Sequence, residues 1–220
     1  MGFAHSLVRR YLQHRFTVLF AVLLLTIAGH GLVGSLLPVA NPLDWLLGIG
    51  LVAAVFSARR GRLRWILGGL AVGCVAARLT QGLLDHPAPP VVSQSLLALA
   101  FVLAAGVAVR RALASGPVDA EHISAALDAY LLVGIAFGIG YWLLETALPG
   151  SFFSGSAGAL TSPRAVYFSF VVQATLGFGD IVPISEHAQG VVVAQGLGGQ
   201  MYLAVLVARL VSLYSAQEKP

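Results

Sequence analysis

Apolar residues run through this chain in long unbroken stretches, not in the one-faced pattern of a helix or strand that meets water on its other side. Six stretches stand out, at residues 16–37, 43–57, 65–84, 91–109, 123–148 and 188–214. A hydrocarbon layer about 30 Å thick is crossed by roughly 20 residues at helical rise. The pattern therefore predicts six spanning helices, the second being the shortest. Punctuation falls between them: Pro38 and Pro42, the arginines at 59, 60, 62 and 64, the run His86-Pro87-Ala88-Pro89-Pro90, and Gly116-Pro117.

The interval between the fifth and sixth stretches breaks the pattern. Residues 150–159 are small apart from Phe152 and Phe153 and read as a surface loop. Ser162 followed by Pro163 reads as a helix N-cap with proline in the first turn. The next residues, to Ala174, are largely apolar and aromatic. About a dozen residues rise only about 18 Å as a helix, which is too short to cross. This helix, 163–174, must enter the membrane and turn back. Irregular backbone after it is tolerated only where it lines a watery path or is buried in protein. The fold class expected is thus all-α and integral to the membrane, with a re-entrant helix between the fifth and sixth crossings.

Composition agrees. Hydrophobic residues make up 58% of the 220 and charged ones 10%, where a soluble domain carries about 25% charged; mean hydropathy is +0.86. Membrane lipid is the main partner of such a surface. The net charge of +4 suggests nucleic acid only until the basic residues are placed. Arg9, Arg10, Arg15, Arg59, Arg60, Arg62, Arg64, Arg110, Arg111, Arg209 and Lys219 all fall on one side of the six-crossing topology. That makes both termini cytoplasmic in a multi-pass cell-membrane protein, with no nucleic-acid partner. The first stretch outlasts the 7–15 residues of a secretory core and reads as a retained helix. Twelve arginines against one lysine fit a GC-rich bacterial genome. Cys74 is the single cysteine, so no intrachain disulfide forms.

Enzyme chemistry finds no footing. Ser154-Gly155-Ser156-Ala157-Gly158 superficially resembles a nucleophile motif, but it lies in a loop without an embedded histidine partner. No metal-spaced His/Cys cluster, phosphate loop or organic-cofactor motif is present.

The returning segment reads Ala174-Thr175-Leu176-Gly177-Phe178-Gly179-Asp180. It resembles the selectivity filter of the potassium channel family, whose pattern is Thr-Val/Ile-Gly-Tyr/Phe-Gly-Asp; Leu176 and Ala174 are departures. The resemblance runs from about Pro163 through the sixth stretch. The first four helices resemble that family's six-helix layout in number and topology only. It implies a homotetramer passing K+ through stacked rings formed by the carbonyls of Thr175, Leu176, Gly177 and Phe178 and the Thr175 hydroxyl. Carbonyls that all point one way need alternating left- and right-handed backbone, which accounts for Gly177 and Gly179. Asp180 would lie at the outer mouth, concentrating cations or bracing the filter. The family often holds this acid with a polar side chain of the pore helix. Here Phe170-Val171-Val172-Gln173 offers no carboxylate, leaving Tyr167 and Gln173 as the candidates.

The layout expected is then a cytoplasmic N-terminus (1–15), a peripheral four-helix membrane domain (16–111), a cytoplasmic linker (112–122), a pore domain (123–214) with filter 175–180, and a short tail (215–220). Gating residues are less determinate. Gly196, Gly198 and Gly199 in the sixth stretch serve either as a hinge or for close helix packing. A voltage sensor needs several cations along one helix, yet residues 91–109 hold none and the third stretch has only Arg78. No attached ligand-binding domain is expected. His122 and His187 are pH-sensor candidates by ordinary pKa, and Glu145 either supports the pore helix or is merely interfacial. Two other readings stay open: a non-selective monovalent cation channel, and a subunit of a potassium transporter, although transporters of that kind carry several pore repeats per chain.

Overall fold

The computed structural model describes residues 14–36, 42–57, 61–81, 88–114, 120–153, 155 and 158–217. Arg9, Arg10, Arg59, Arg60, Lys219, the His86-Pro87 turn, the Gly116–Asp119 part of the linker, and Ser154, Ser156 and Ala157 lie outside them. Among the described residues seven helices follow in order: α1 (Arg15–Leu36), α2 (Pro42–Ser57), α3 (Arg62–Gln81), α4 (Ala88–Ala112), α5 (Ala120–Ala147), α6 (Ser162–Gln173) and α7 (Glu186–Gln217). Two short strands, β1 (Phe152–Phe153) and β2 (Val182–Pro183), pair antiparallel with Phe152 opposite Pro183 and Phe153 opposite Val182.

Of the six crossings expected, three helices among the described residues are long and apolar enough to span. These are Pro90–Ala112, Ala120–Ala147 and Glu186–Arg209. The apolar parts described in α1 and α2 are shorter, and α3 carries Arg62, Arg64 and Arg78 within its 20 residues.

The chain forms two compact units, Met1–Ala136 and Phe137–Pro220. In the first, α1 packs mainly on α2 and α3 on α4. Helical spacing explains the first pair: Phe16, Leu19 and Leu23 are buried on α1, and Leu43, Leu47, Leu51 and Ala54 on α2. Leu24, Leu25, Ile49 and Val52 are exposed in the same helices. A helix apolar all round belongs in lipid or deep in protein. Glu121 at the start of α5 accepts hydrogen bonds from the backbone N–H of Phe16 (3.2 Å) and from the Thr17 hydroxyl (3.0 Å). It so serves orphan donors at the N-terminus of α1. Asp128, two turns further along α5, is fully buried, and neither carboxylate oxygen has a hydrogen-bond partner among the described residues.

The second unit is built around α6, whose residues Ala165, Val166, Phe168, Ser169, Val171 and Gln173 are buried. Tyr141 of α5, Phe152 of β1 and Phe168 of α6 form a three-ring cluster, with centroids 5.3, 5.4 and 5.8 Å apart. Leu160, Ala165, Ile181 and Ala188 complete that core. The loop between α5 and α6 is therefore not wholly a surface feature: Phe152 is 5% exposed, because an aromatic side chain in the loop can join the core its neighbours build.

Gly138 fixes the distance between α5 and α6. A Cβ there would lie 2.5 Å from Val166 Cα and 3.1 Å from its backbone nitrogen, so the obstacle is main chain that no rotamer change moves aside. At Gly140 an added Cβ meets nothing within 4 Å. Gly138→Ala is expected to destabilise the detergent-purified protein by about 1–3 kcal/mol, the cost of overpacking. Gly140→Ala is expected to hold or raise the thermal midpoint, since alanine is the better helix former. Equal midpoints for the two variants would show that α5 and α6 are not packed this closely.

Candidate functional site: the segment between α6 and α7

The short helix begins one residue earlier than its sequence signals suggest. Thr161, not Ser162, is the N-cap, with extended backbone (φ −79°, ψ 158°) and no side-chain capping bond. Ser162 is the first helical residue, and its hydroxyl is buried without a partner among the described residues. Pro163 stands in the first turn as expected.

The other end is where the unusual backbone starts. Thr175 N–H bonds to the Val172 carbonyl (3.0 Å) and Leu176 N–H to the Val171 carbonyl (2.9 Å). This pair of bonds, with a left-handed residue between, is the Schellman arrangement that closes many helices. The left-handed position normally belongs to glycine; here it is Thr175, at φ 58°. A β-branched residue is a true outlier there. Gly177 (φ 58°) and Gly179 (φ 77°) repeat the left-handed conformation at every second residue, while Leu176 and Phe178 do not share it. All residues from 174 to 180 are exposed in the single chain, Leu176 at 57% and Phe178 at 64%.

Beyond Asp180 the chain is fastened again. Ile184 N–H donates to the Ser151 carbonyl (2.8 Å), next to the β1–β2 pair. Glu145 holds the other side of that contact, accepting from the backbone N–H of Gly150 and of Phe152, both at 3.0 Å. Its role is thus to organise the loop that receives the chain after Asp180. Charge-assisted bonds of this kind are worth about 1.5–3 kcal/mol each. Ser185 then caps α7, its hydroxyl accepting from Ala188 N–H at 3.2 Å.

Of the two polar residues expected behind Asp180, Tyr167 is its partner: the phenol donates to the Asp180 carboxylate. Gln173 is 1% exposed, and its side-chain carbonyl accepts from Gln195 Nε2 of α7 at 2.9 Å. Gln195 also donates to the Ser169 hydroxyl (2.7 Å) and carbonyl (3.1 Å), and accepts from the Tyr141 hydroxyl (2.5 Å). Tyr141, Ser169 and Gln195 were not singled out from sequence. A signal was there for Gln195, a lone amide in the run Val191-Val192-Val193-Ala194, since polar side chains in membrane helices bond across helices.

The glycines of α7 differ from one another. A Cβ on Gly199 would lie 3.0 Å from Gln173 Cγ and 3.1 Å from its carbonyl oxygen, whereas one on Gly198 meets nothing within 4 Å and one on Gly196 only Val172, at 3.8 Å. Gly199 is required by close approach to the last residue of α6. Most of the described side chains of α7 are uncovered in the single chain: Val193, Leu197, Met201, Val205 and Val207 are each more than half exposed.

No curated protein and no solved structure matches the chain. Residues 129–216 match the family model described as ion channel, so this part of the chain is an ion-channel pore domain in a membrane protein that is not an enzyme.

Proposed function

We propose that the chain is the pore-forming subunit of a homotetrameric potassium-selective channel, and that K+ crosses by exchanging water for backbone carbonyls of residues 175–178. The observation that carries this reading is the left-handed backbone at Thr175, Gly177 and Gly179. Alternating hands along a short stretch turn successive carbonyls toward one side, where a regular strand would alternate them. A single chain supplies only one wall of such a site. The exposure of residues 174–180 and of the apolar face of α7 fits partners that complete it around an axis. Carbonyl rings that replace a hydration shell are the device described for potassium channels in general. Six crossings with both termini cytoplasmic remain the topology we favour, on the one-sided placement of the basic residues.

Flux of K+ and Na+ through the purified protein in liposomes tests the reading. K+ is expected to pass strongly in preference to Na+, with block by barium, which matches potassium in size, and the conducting particle is expected to contain four chains. Equal permeability would favour a non-selective cation pore, and a conducting monomer or dimer would remove the carbonyl-ring mechanism.

Two substitutions separate backbone from side chain. Holding an L-residue in the left-handed region costs about 1–2 kcal/mol, incurred four times around a ring. Gly177→Ala is accordingly expected to abolish current. Thr175→Gly relieves the same strain but removes a hydroxyl, so thermal stability should hold or rise while barium block weakens. A drop in stability for Thr175→Gly would mean that Thr175 is not strained.

Conductance is also expected to depend only weakly on voltage. One charge crossing the full field contributes about 2.3 kcal/mol per 100 mV, so steep gating needs several, and residues 91–109 of α4 contain no arginine or lysine. Planar-bilayer recordings giving a slope equivalent to many gating charges would contradict this.

A further inference from the structure

Gln195 occupies a position that the proposed conduction path does not by itself explain. It lies on α7, is 2% exposed, and meets three buried polar side chains, Tyr141, Ser169 and Gln173, exposed by 0%, 0% and 1%. Its amide uses both ends. Oε1 accepts from Tyr141 of α5, and Nε2 donates to Gln173 Oε1 and to the hydroxyl and carbonyl of Ser169 on α6. Two N–H groups serve three acceptors, so the oxygens of Ser169 share one. Ser169 and Gln173 are four residues apart and present one face of α6. Gln195 and Gly199 stand in the same relation on α7, and Gly199 closes against Gln173 as well. Two residues beyond Gln173 comes Thr175, where the left-handed backbone begins.

We propose that Gln195 is the positioning residue for ion discrimination: through Gln173 and Ser169 it sets the placement of the Thr175 backbone, and with it the innermost carbonyl and hydroxyl oxygens. The inference rests on the pore reading above. Its physical basis is that a buried amide with apolar surroundings has no water to fall back on. A helix carrying it cannot slide by even about 1 Å without stretching bonds of 2.7–3.1 Å past useful length. The C-terminal turn of α6 therefore follows α7 at this level. The oxygens beside Thr175 are held by side chains from outside the filter, in addition to the helix-closing bonds at 172 and 171.

The test compares wild type, Gln195→Leu, Tyr141→Phe and the double variant in liposomes, reading the K+/Na+ permeability ratio from bi-ionic reversal potentials. Gln195→Leu removes every bond of the amide and is expected to lower the ratio by about tenfold. Tyr141→Phe keeps the ring in the aromatic cluster and removes one bond, so a smaller loss of the ratio is expected, with a lowered thermal midpoint because the buried Gln195 Oε1 is left without its donor. The double variant is expected to match Gln195→Leu alone, because Tyr141 acts through Gln195. Hydrogen exchange at the Thr175 and Leu176 amides gives a readout independent of selectivity, and both are expected to exchange faster in Gln195→Leu and in Tyr141→Phe. A wild type without K+ preference would sink the pore reading while leaving the exchange test standing. A selective wild type whose ratio and exchange are untouched by Tyr141→Phe would overturn the role of Gln195, as would additive effects of the two substitutions. Should Gln195→Leu fail to assemble, Tyr141→Phe alone decides.

Discussion

Tyr141 donates to Gln195 from a ring set between Phe152 and Phe168, and the second unit depends on that one side chain facing both ways. Its apolar body belongs to the cluster that joins α5, the β1 loop and α6. Its hydroxyl belongs to the buried network that joins α5, α6 and α7. A phenylalanine would serve the first and leave Gln195 Oε1 without its donor. An apolar contact is non-directional and sets only distance, whereas the hydrogen bonds set rotation about the helix axes. Gly138 acts with this pair by letting α5 approach Val166 to a separation that no Cβ would permit. The short helix is thus located by close approach, by ring packing and by directed bonds, each fixing something the others leave loose.

That degree of constraint answers a specific problem. Residues 174–180 have left the helix and joined no ladder. Thr175 stands in a region costly for a β-branched side chain, of the order of 1–3 kcal/mol. Such a conformation persists only if both ends are held. At one end the Schellman bonds to Val172 and Val171 hold it. At the other the β1–β2 pair and the Ser151 carbonyl do so, with Glu145 organising the loop from beneath. Tyr167 on Asp180 adds a tie across the segment itself. Strain at one residue is affordable because the restraint comes from helices on either side.

What could be read from sequence was whatever depends on a residue and its near neighbours. The length of 163–174, its proline, and the need for Gly177 and Gly179 are local facts, and helix α6 at Ser162–Gln173 lies within a residue of expectation. The capping residue was misplaced because Ser162 and Thr161 are both good capping types, and only backbone dihedrals separate them. Thr175 offers a carbonyl and a hydroxyl on sequence grounds, but nothing in its neighbours shows that it takes the glycine position of a helix-closing motif. Two-residue strands carry no periodicity to detect. Gln195 and Tyr141 are 54 residues apart, and their partnership exists only once α5 and α7 flank α6. Asp128 sits in an apolar helix where a carboxylate is conspicuous, yet its burial follows from packing that composition does not describe.

The glycines of α7 show how one sequence signal divides into two physical roles. From composition, hinge and close packing were indistinguishable, since each asks for a residue without a side chain. Geometry separates them by neighbour. Gly199 is pressed against the Gln173 carbonyl, and a Cβ on Gly198 meets nothing within 4 Å. Gln195 and Gly199 engage α6 on one face of α7, and the Gln200 amide adds a long contact to the same carbonyl, at 3.5 Å. The stretch of α7 from 195 to 200 is therefore tied to α6, the helix that leads into residues 174–180. A bend in α7 that leaves this stretch seated against α6 has to lie C-terminal to Gln200. A bend N-terminal to it would have to break the Gln195 network first.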